Sequence, residues 1–329
     1  MNVLRTILRR REAGILVMIV LFCMAVSLYK PQFLTVNSLR IILLLVPLIL
    51  IGAMGQMLVL VARHVDLSIG SILGLSAMLT GMMFKFYPEI WWPLGFVVAV
   101  GTGTLLGLLN GVLVTLFRLP AIIVTLGTLN LYRGLTYIVS DAKQIDRQFV
   151  PSALKAMSQT SPILGIPWII FISLGIAALT YVFVMHTQVG RQIYALGSNP
   201  TAAPLRGINV TRVTLLVFAL SGALAGLAGI MYASRWGFVN PSNTGNGFEF
   251  QVIAAVVIGG VSINGGSGSV AGTVLGVILL GCVAAALPLL GIPGTTQNAI
   301  YGAVILIALL IDRSVRQQGV KTLTARVPA

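Results

Sequence analysis

Acidic residues are scarce in this sequence: seven Asp and Glu stand against 21 Lys and Arg in 329 residues, and charged residues of every kind make up only 9%. Hydrophobic residues make up 57%, more apolar surface than a soluble domain of this size could bury. The chain therefore reads as an all-α polytopic membrane protein. Its two cysteines, Cys23 and Cys282, both fall inside apolar runs, so neither a disulfide framework nor a thiolate metal site is implied. The two histidines, His64 and His186, sit near expected membrane borders with no Cys or carboxylate cluster at ligand spacing, and no metal or other cofactor is expected. A Gly-x-x-x-x-Gly-Lys-Ser/Thr loop is missing as well. The nearest approach, Gly265-Gly266-Ser267-Gly268, fits a tight turn between two spans. No serine or aspartate is placed as a nucleophile beside its base, so the chain reads as no enzyme. If ATP drives its work, another chain hydrolyses it.

The shortage of acids leaves a net charge of +14. The basic residues are scattered between apolar runs rather than gathered on one face, which argues against nucleic acid as a partner. They read instead as topology signals and as contacts to anionic lipid headgroups. The basic, apolar N-terminus resembles a signal peptide in outline, but no small-residue cleavage site precedes Lys30-Pro31 and the run is long enough to remain as a span.

Ten apolar segments can be drawn, at roughly residues 12 to 29, 38 to 62, 67 to 86, 91 to 117, 119 to 140, 167 to 187, 212 to 234, 248 to 263, 268 to 289 and 295 to 312. The eighth is short for a bilayer of about 30 Å and the third begins beside a charge, so either could be broken or re-entrant. An even count puts both ends on one side. Arg5, Arg9, Arg10 and Arg11 at one end, and Arg313, Arg316, Lys321 and Arg326 at the other, make that side cytoplasmic. The whole chain, 1–329, is then one transmembrane domain, with residues 187–212 as a cytoplasmic loop and 141–166 as a periplasmic one. Glycines recur four apart in three segments: Gly103, Gly107 and Gly111; Gly222 and Gly226; Gly268, Gly272 and Gly276. Helices in lipid pack through such small faces, within a subunit or between two.

Polar residues inside the spans are the candidates for a translocation path or gate. Asp66 heads them, followed by Ser68 and Ser71. Arg63 could pair with Asp66 across one helical turn, or Asp66 could cap the third span by accepting amides of its next turn. Arg133 lies toward the outer end of the fifth segment, where its stem could carry the guanidinium to the interface. With Thr125, Thr128 and Asn130 on the same segment, the alternative is a wet cavity. Asn110 and Asn264 complete the set. Glu249 and Gln251 open the eighth segment and could be its polar first turn.

The longest polar interruption that still holds a helix-sized core is GRQIYALGSNPTAAPLRGINVTR, Gly190 to Arg212. Asn199-Pro200 starts a turn, Thr201 to Leu205 fits about one turn of helix, and Gly207 suits its end. By itself the stretch could be an ordinary basic loop. Its pattern G-R-x-x-Y-A-x-G-x-N, A-A, G-I resembles the coupling segment of the permease subunits of ribose-type ABC importers. Three further stretches in the same order carry that resemblance over nearly the whole chain: VDLSIGSILGLSAM from Val65, LPAIIVTLGTLNLYRGL from Leu119 and IGGVSINGGSGSVAGTVLG from Ile258. Arg63-His64-Val65-Asp66, where many members have glycines before Asp-Leu-Ser, looks closer to the rhamnose and autoinducer-2 branches than to ribose.

The resemblance implies a multi-pass permease of the bacterial inner membrane that dimerises with a copy or a homologue. It implies a cytoplasmic ATPase subunit docked through Arg191, Tyr194, Gly197, Ser198, Asn199, Pro200, Ala202, Ala203, Arg206 and Gly207, and a periplasmic binding protein that delivers a sugar or sugar-like solute. The competing expectation is an ion-coupled secondary transporter with Asp66, Arg133 and Glu249 as its relay.

Overall fold

The computed structural model describes residues 11–159 and 166–293, with 296, 299–303 and 305–306. The helices among them are α1 (Arg11–Tyr29), α2 (Val36–Val61), α3 (Ile69–Phe86), α4 (Leu94–Leu116), α5 (Ala121–Ser140), α6 (Ser152–Gln159), α7 (Trp168–His186), α8 (Gln188–Ser198), α9 (Val210–Trp236), α10 (Phe248–Ile258) and α11 (Val270–Leu289). Short 3-10 turns lie at Pro31–Leu34 and Pro204–Arg206. Among the described residues eight helices are long and apolar enough to cross a membrane: α1 to α5, α7, α9 and α11. Most of the expected tenth segment, 295 to 312, lies outside the described residues.

Polar residues of α2 gather at its start, Asn37, Ser38 and Arg40, and from Ile41 onward Gln56 is the one polar side chain, so the second part of the helix is apolar all round and can sit among other helices. Every residue from Pro47 to Val61 is buried accordingly. α4 lies against α9 along the glycine rows. A Cβ on Gly103 would stand 2.1 Å from the Gly222 carbonyl oxygen, one on Gly107 2.2 Å from that of Phe218, one on Gly226 2.1 Å from that of Ala99, and one on Gly111 3.2 Å from Leu215 Cα. Two helices this close leave no room for any side chain at the contact. α11 meets α10 in the same way, through Gly272 against the Gly259 carbonyl and Gly276 against that of Ala255. Gly268 is not part of that helical row. It precedes the α11 N-cap Ser269 with φ +153, a turn conformation that suits glycine. α1 is peripheral: Val26 packs with Phe33, Cys282, Ala285 and Ala286.

The eighth expected segment, 248 to 263, is the broken helix that its short length allowed. α10 has only eleven residues, about 16 Å of helix, and covers half a bilayer. Gly259 and Gly260 end it, the latter with φ +83. The other half is irregular backbone, 237 to 247. It begins beside the segment that follows α5, where Val239 and Ile145 exchange amide hydrogen bonds of 3.0 and 2.9 Å. It then runs inward until Gly245 touches Gly70, near the start of α3. Protein encloses part of this backbone: Val239, Pro241, Thr244, Gly245 and Gly247 are buried, while Ser242, Asn243 and Asn246 are exposed.

Candidate coupling and gating sites

Three constellations are held on this frame. The first forms where α2 stops. Arg63 takes φ +68, and the chain turns through Val65 and Asp66 before α3 begins. Asp66, fully buried, accepts from the Ser68 amide at 2.9 Å and hydroxyl at 2.6 Å on Oδ1, and from the Ser221 hydroxyl at 3.1 Å on Oδ2. Asn110 Nδ2 donates to Ser68 Oγ at 2.7 Å, and the Tyr132 hydroxyl sits 3.0 Å from both Asn110 Oδ1 and the Leu106 carbonyl. Thr125 donates to the Val65 carbonyl at 3.2 Å, and His64 Nε2 lies 3.3 Å from Thr214 Oγ1. The turn is thus tied to α4, α5 and α9 at once.

Two expectations for Asp66 are corrected by this geometry. It does not cap α3 through the amides of the next turn, because Ser68 occupies the N-cap position and Asp66 serves Ser68 itself. Nor does Arg63 pair with it: the left-handed Arg63 has left the helix and packs beside Gly265, and the ion pair found among the described residues is Lys143 with Asp141, at 2.6 Å. That pair is exposed outside the spans, where the Lys143 ammonium holds the Asp141 carboxyl below its ordinary range.

The second constellation lies at the broken span. Arg133 does not extend to the interface; its Nη1 donates to the Thr244 carbonyl at 2.7 Å. Glu249 is buried beside Gly70, and its Oε2 has no hydrogen-bond partner in the described structure. The grouping of Thr125, Thr128, Asn130 and Arg133 on one wet face is not what the structure arranges. Thr125 and Thr128 are buried and bond carbonyls, at 2.8 Å to Ala121 and 3.4 Å to Thr125, while Asn130 is exposed and bonds the Leu126 carbonyl of its own helix at 3.0 Å. Ser71 donates to the Ser68 carbonyl at 2.8 Å, and Asn264 belongs to the turn between α10 and α11.

The third is the polar interruption. α8 forms because Thr187 caps it, accepting from the Gly190 amide at 3.0 Å, and because Gly190, Ile193, Leu196 and Gly197 recur on one face and are buried. Gly190 packs on the Val184 carbonyl, and a Cβ on Gly197 would strike the Val61 carbonyl. After α8, Asn199 Oδ1 accepts from the Thr201 amide and hydroxyl at 3.2 and 2.7 Å and from the Ala202 amide at 3.0 Å. The chain then passes through Pro200 and the buried Ala203 into the 3-10 turn, which Gly207 ends with φ +76. Outward stand Arg191, Ser198, Pro204, Leu205, Arg206 and Gly207. Leu205, 88% exposed, carries no polar signal by which the sequence could have singled it out. Tyr132, Ser221, Thr214 and Thr244 were equally hidden, since each matters through partners distant in sequence.

Residues 38–309 match the family model described as the branched-chain amino acid transport system / permease component. The autoinducer 2 import system permease protein LsrC of Escherichia coli (strain K12 / DH10B) is 36% identical over 95% of this chain and 90% of its own length. Its counterpart from Enterobacter sp. (strain 638) is 37% identical over 95% and 90%, and that from Salmonella typhi 36% over 95% and 88%. No solved structure gives a significant match. The resemblance to ABC importer permeases holds at the level of the family, and the chain belongs to these multi-pass membrane permease components of transport systems.

Proposed function

We propose that the chain is the permease subunit of an ATP-driven importer that brings autoinducer 2, or a closely similar sugar-like solute, from periplasm to cytoplasm. The names of its relatives support that cargo. In this reading both termini and residues 187–212 face the cytoplasm, residues 141–166 face the periplasm and a binding protein, and a second permease copy or homologue completes the pathway. A separate ATPase subunit docks on the tip that follows α8.

The observation that carries this reading is Leu205, an apolar side chain 88% exposed on a turn held rigid from within by Asn199 and Gly207. A leucine this exposed, beside exposed Pro204 and Arg206, offers a soluble partner an apolar side chain to bury, worth about 1.5 to 3 kcal/mol. The ion-coupled alternative gains less support, because both oxygens of Asp66 are already taken by donors.

The test is Leu205→Asp in the permease co-expressed with its ATPase and binding proteins. The ATPase is expected to be lost from the purified complex, and uptake of labelled autoinducer 2 into proteoliposomes to fall at least about tenfold, the loss of one interface anchor. Full retention of the ATPase with normal uptake would show that the tip is not the docking point. Asn199 and Ala203 are poorer probes, since one braces the turn and the other is buried within it.

A further inference from the structure

α8 is joined in sequence to α7 and α9 and packs on α7 through Gly190, and it also holds hydrogen bonds to the turn between α10 and α11. The Tyr194 hydroxyl donates to the Gly268 carbonyl at 2.9 Å, and Ser198 Oγ donates to that of Gly266 at 3.4 Å. The Gly266 amide in turn donates to the Val61 carbonyl at 2.9 Å, the same oxygen against which Gly197 packs. Gly265 and Gly266 hold φ +82 and +73 while lying against Arg63 and Ser198, so the turn approaches both neighbours as only bare backbone can. The turn is itself closed by the Ser262 amide on the Ser267 carbonyl at 3.0 Å and the Gly265 amide on that of Ser262 at 3.0 Å. Burial pushes the Tyr194 phenol above its ordinary range. A closed turn gripped in this way moves as one piece with α8.

That turn is the inner end of α10. The other end of α10 carries Glu249 and adjoins Gly245 and Thr244, whose carbonyl receives Arg133. Eleven helical residues form a rod whose hydrogen bonds are internal, whereas residues 240 to 246 are joined by turn and side-chain bonds that can rearrange one at a time. A displacement at the inner end therefore appears at the outer end.

We infer that α10 is the element that carries movement of the docking segment to the Arg133–Thr244 contact in mid-membrane, with the Tyr194–Gly268 hydrogen bond as its inner latch. Tyr194 is then a positioning residue that does not touch the ATPase, and this path runs alongside the direct links of α8 to α7 and α9. This rests on the proposed docking of the ATPase at residues 187–212.

The experiment compares Tyr194→Phe with Leu205→Asp in the reconstituted complex of permease, ATPase and binding protein, with spin labels on α10 at Phe250 and on α5 at Ile138, both exposed. With the native latch, trapping the ATPase with ADP and vanadate is expected to shift the distance between the labels. In Tyr194→Phe the ATPase stays bound, the shift is lost, and uptake per ATP hydrolysed falls about fivefold, the effect of one hydrogen bond. A shift that survives in Tyr194→Phe, uptake per ATP equal to that of the native complex, or labels that never move with nucleotide would each overturn the latch. If Leu205→Asp leaves the ATPase bound and uptake intact, the docking assignment itself fails, and the two failures are told apart.

Discussion

Truncating Asp66 separates a structural carboxylate from a transport relay. Asp66→Ala removes the acceptor for three donors: the Ser68 amide, the Ser68 hydroxyl and the Ser221 hydroxyl. The Ser221 hydroxyl can turn back to a carbonyl of its own helix. The Ser68 oxygen still accepts from Asn110, but its proton loses its acceptor, as does the Ser68 amide, in a site that excludes solvent, and the α2–α3 turn keeps only the His64–Thr214 contact to α9. Two orphaned buried donors, at about 1 to 3 kcal/mol each, cost about 2 to 6 kcal/mol. Asp66→Asn behaves differently. Its Oδ1 can still accept both Ser68 donors while Nδ2 donates to Ser221 Oγ, so a loss under about 1 kcal/mol is expected. Thermal unfolding of the purified subunit, followed by fluorescence of its four tryptophans, reads both variants, and uptake is measured on the same preparations. A structural role lets the well-folded Asp66→Asn protein transport, whereas a relay demands that Asp66→Asn fold normally and transport nothing. That outcome, or an Asp66→Ala protein as stable as the native one, would refute a structural role.

Two further variants test the packing and the broken span. Gly222→Val puts a Cβ about where the Gly103 carbonyl now lies, 2.1 Å away, and should cost about 3 kcal/mol or more, read as loss of monodisperse protein after extraction. Arg133→Met keeps an unbranched apolar stem and removes the donor to Thr244; amide exchange of residues 240 to 246 should quicken about tenfold while that of α2 is unchanged.

The spans were legible because lipid demands long apolar helices, and the glycine rows of α4 and α9 because close helix contact demands small residues at fixed spacing. The broken span was legible only in part. Val252 to Val257 continues in hydropathy into Val261 and Ile263, so the run looks longer than the helix, while Gly259 and Gly260 break it. Its other half, with Asn240, Pro241, Ser242, Asn243 and Gly245, has the composition of a surface loop. The Asp66 network was illegible for another reason. Its partners Asn110, Tyr132 and Ser221 lie on three other helices, and nothing local to any of them records the contact. Leu205 shows the converse limit, since an apolar residue in an apolar chain stands out only once its exposure is known.

Residues 240 to 246 lie partly within the protein: Pro241, Thr244 and Gly245 are buried, while Ser242, Asn243 and Asn246 are exposed. Buried backbone must find partners, and with no helix to supply them the side chains do. Asn240 Oδ1 takes the amides of Ser242 and Asn243 at 2.9 and 3.2 Å, Thr244 Oγ1 takes that of Asn240 at 3.0 Å, and the Asn240 carbonyl takes that of Thr244 at 2.9 Å. Arg133 then satisfies the Thr244 carbonyl from another helix. Each of these bonds can be exchanged without unwinding a helix, so this stretch can change shape at low cost while α10 below it stays rigid. A rigid helix joined to an adaptable turn segment gives this one stretch of the bundle two mechanical characters.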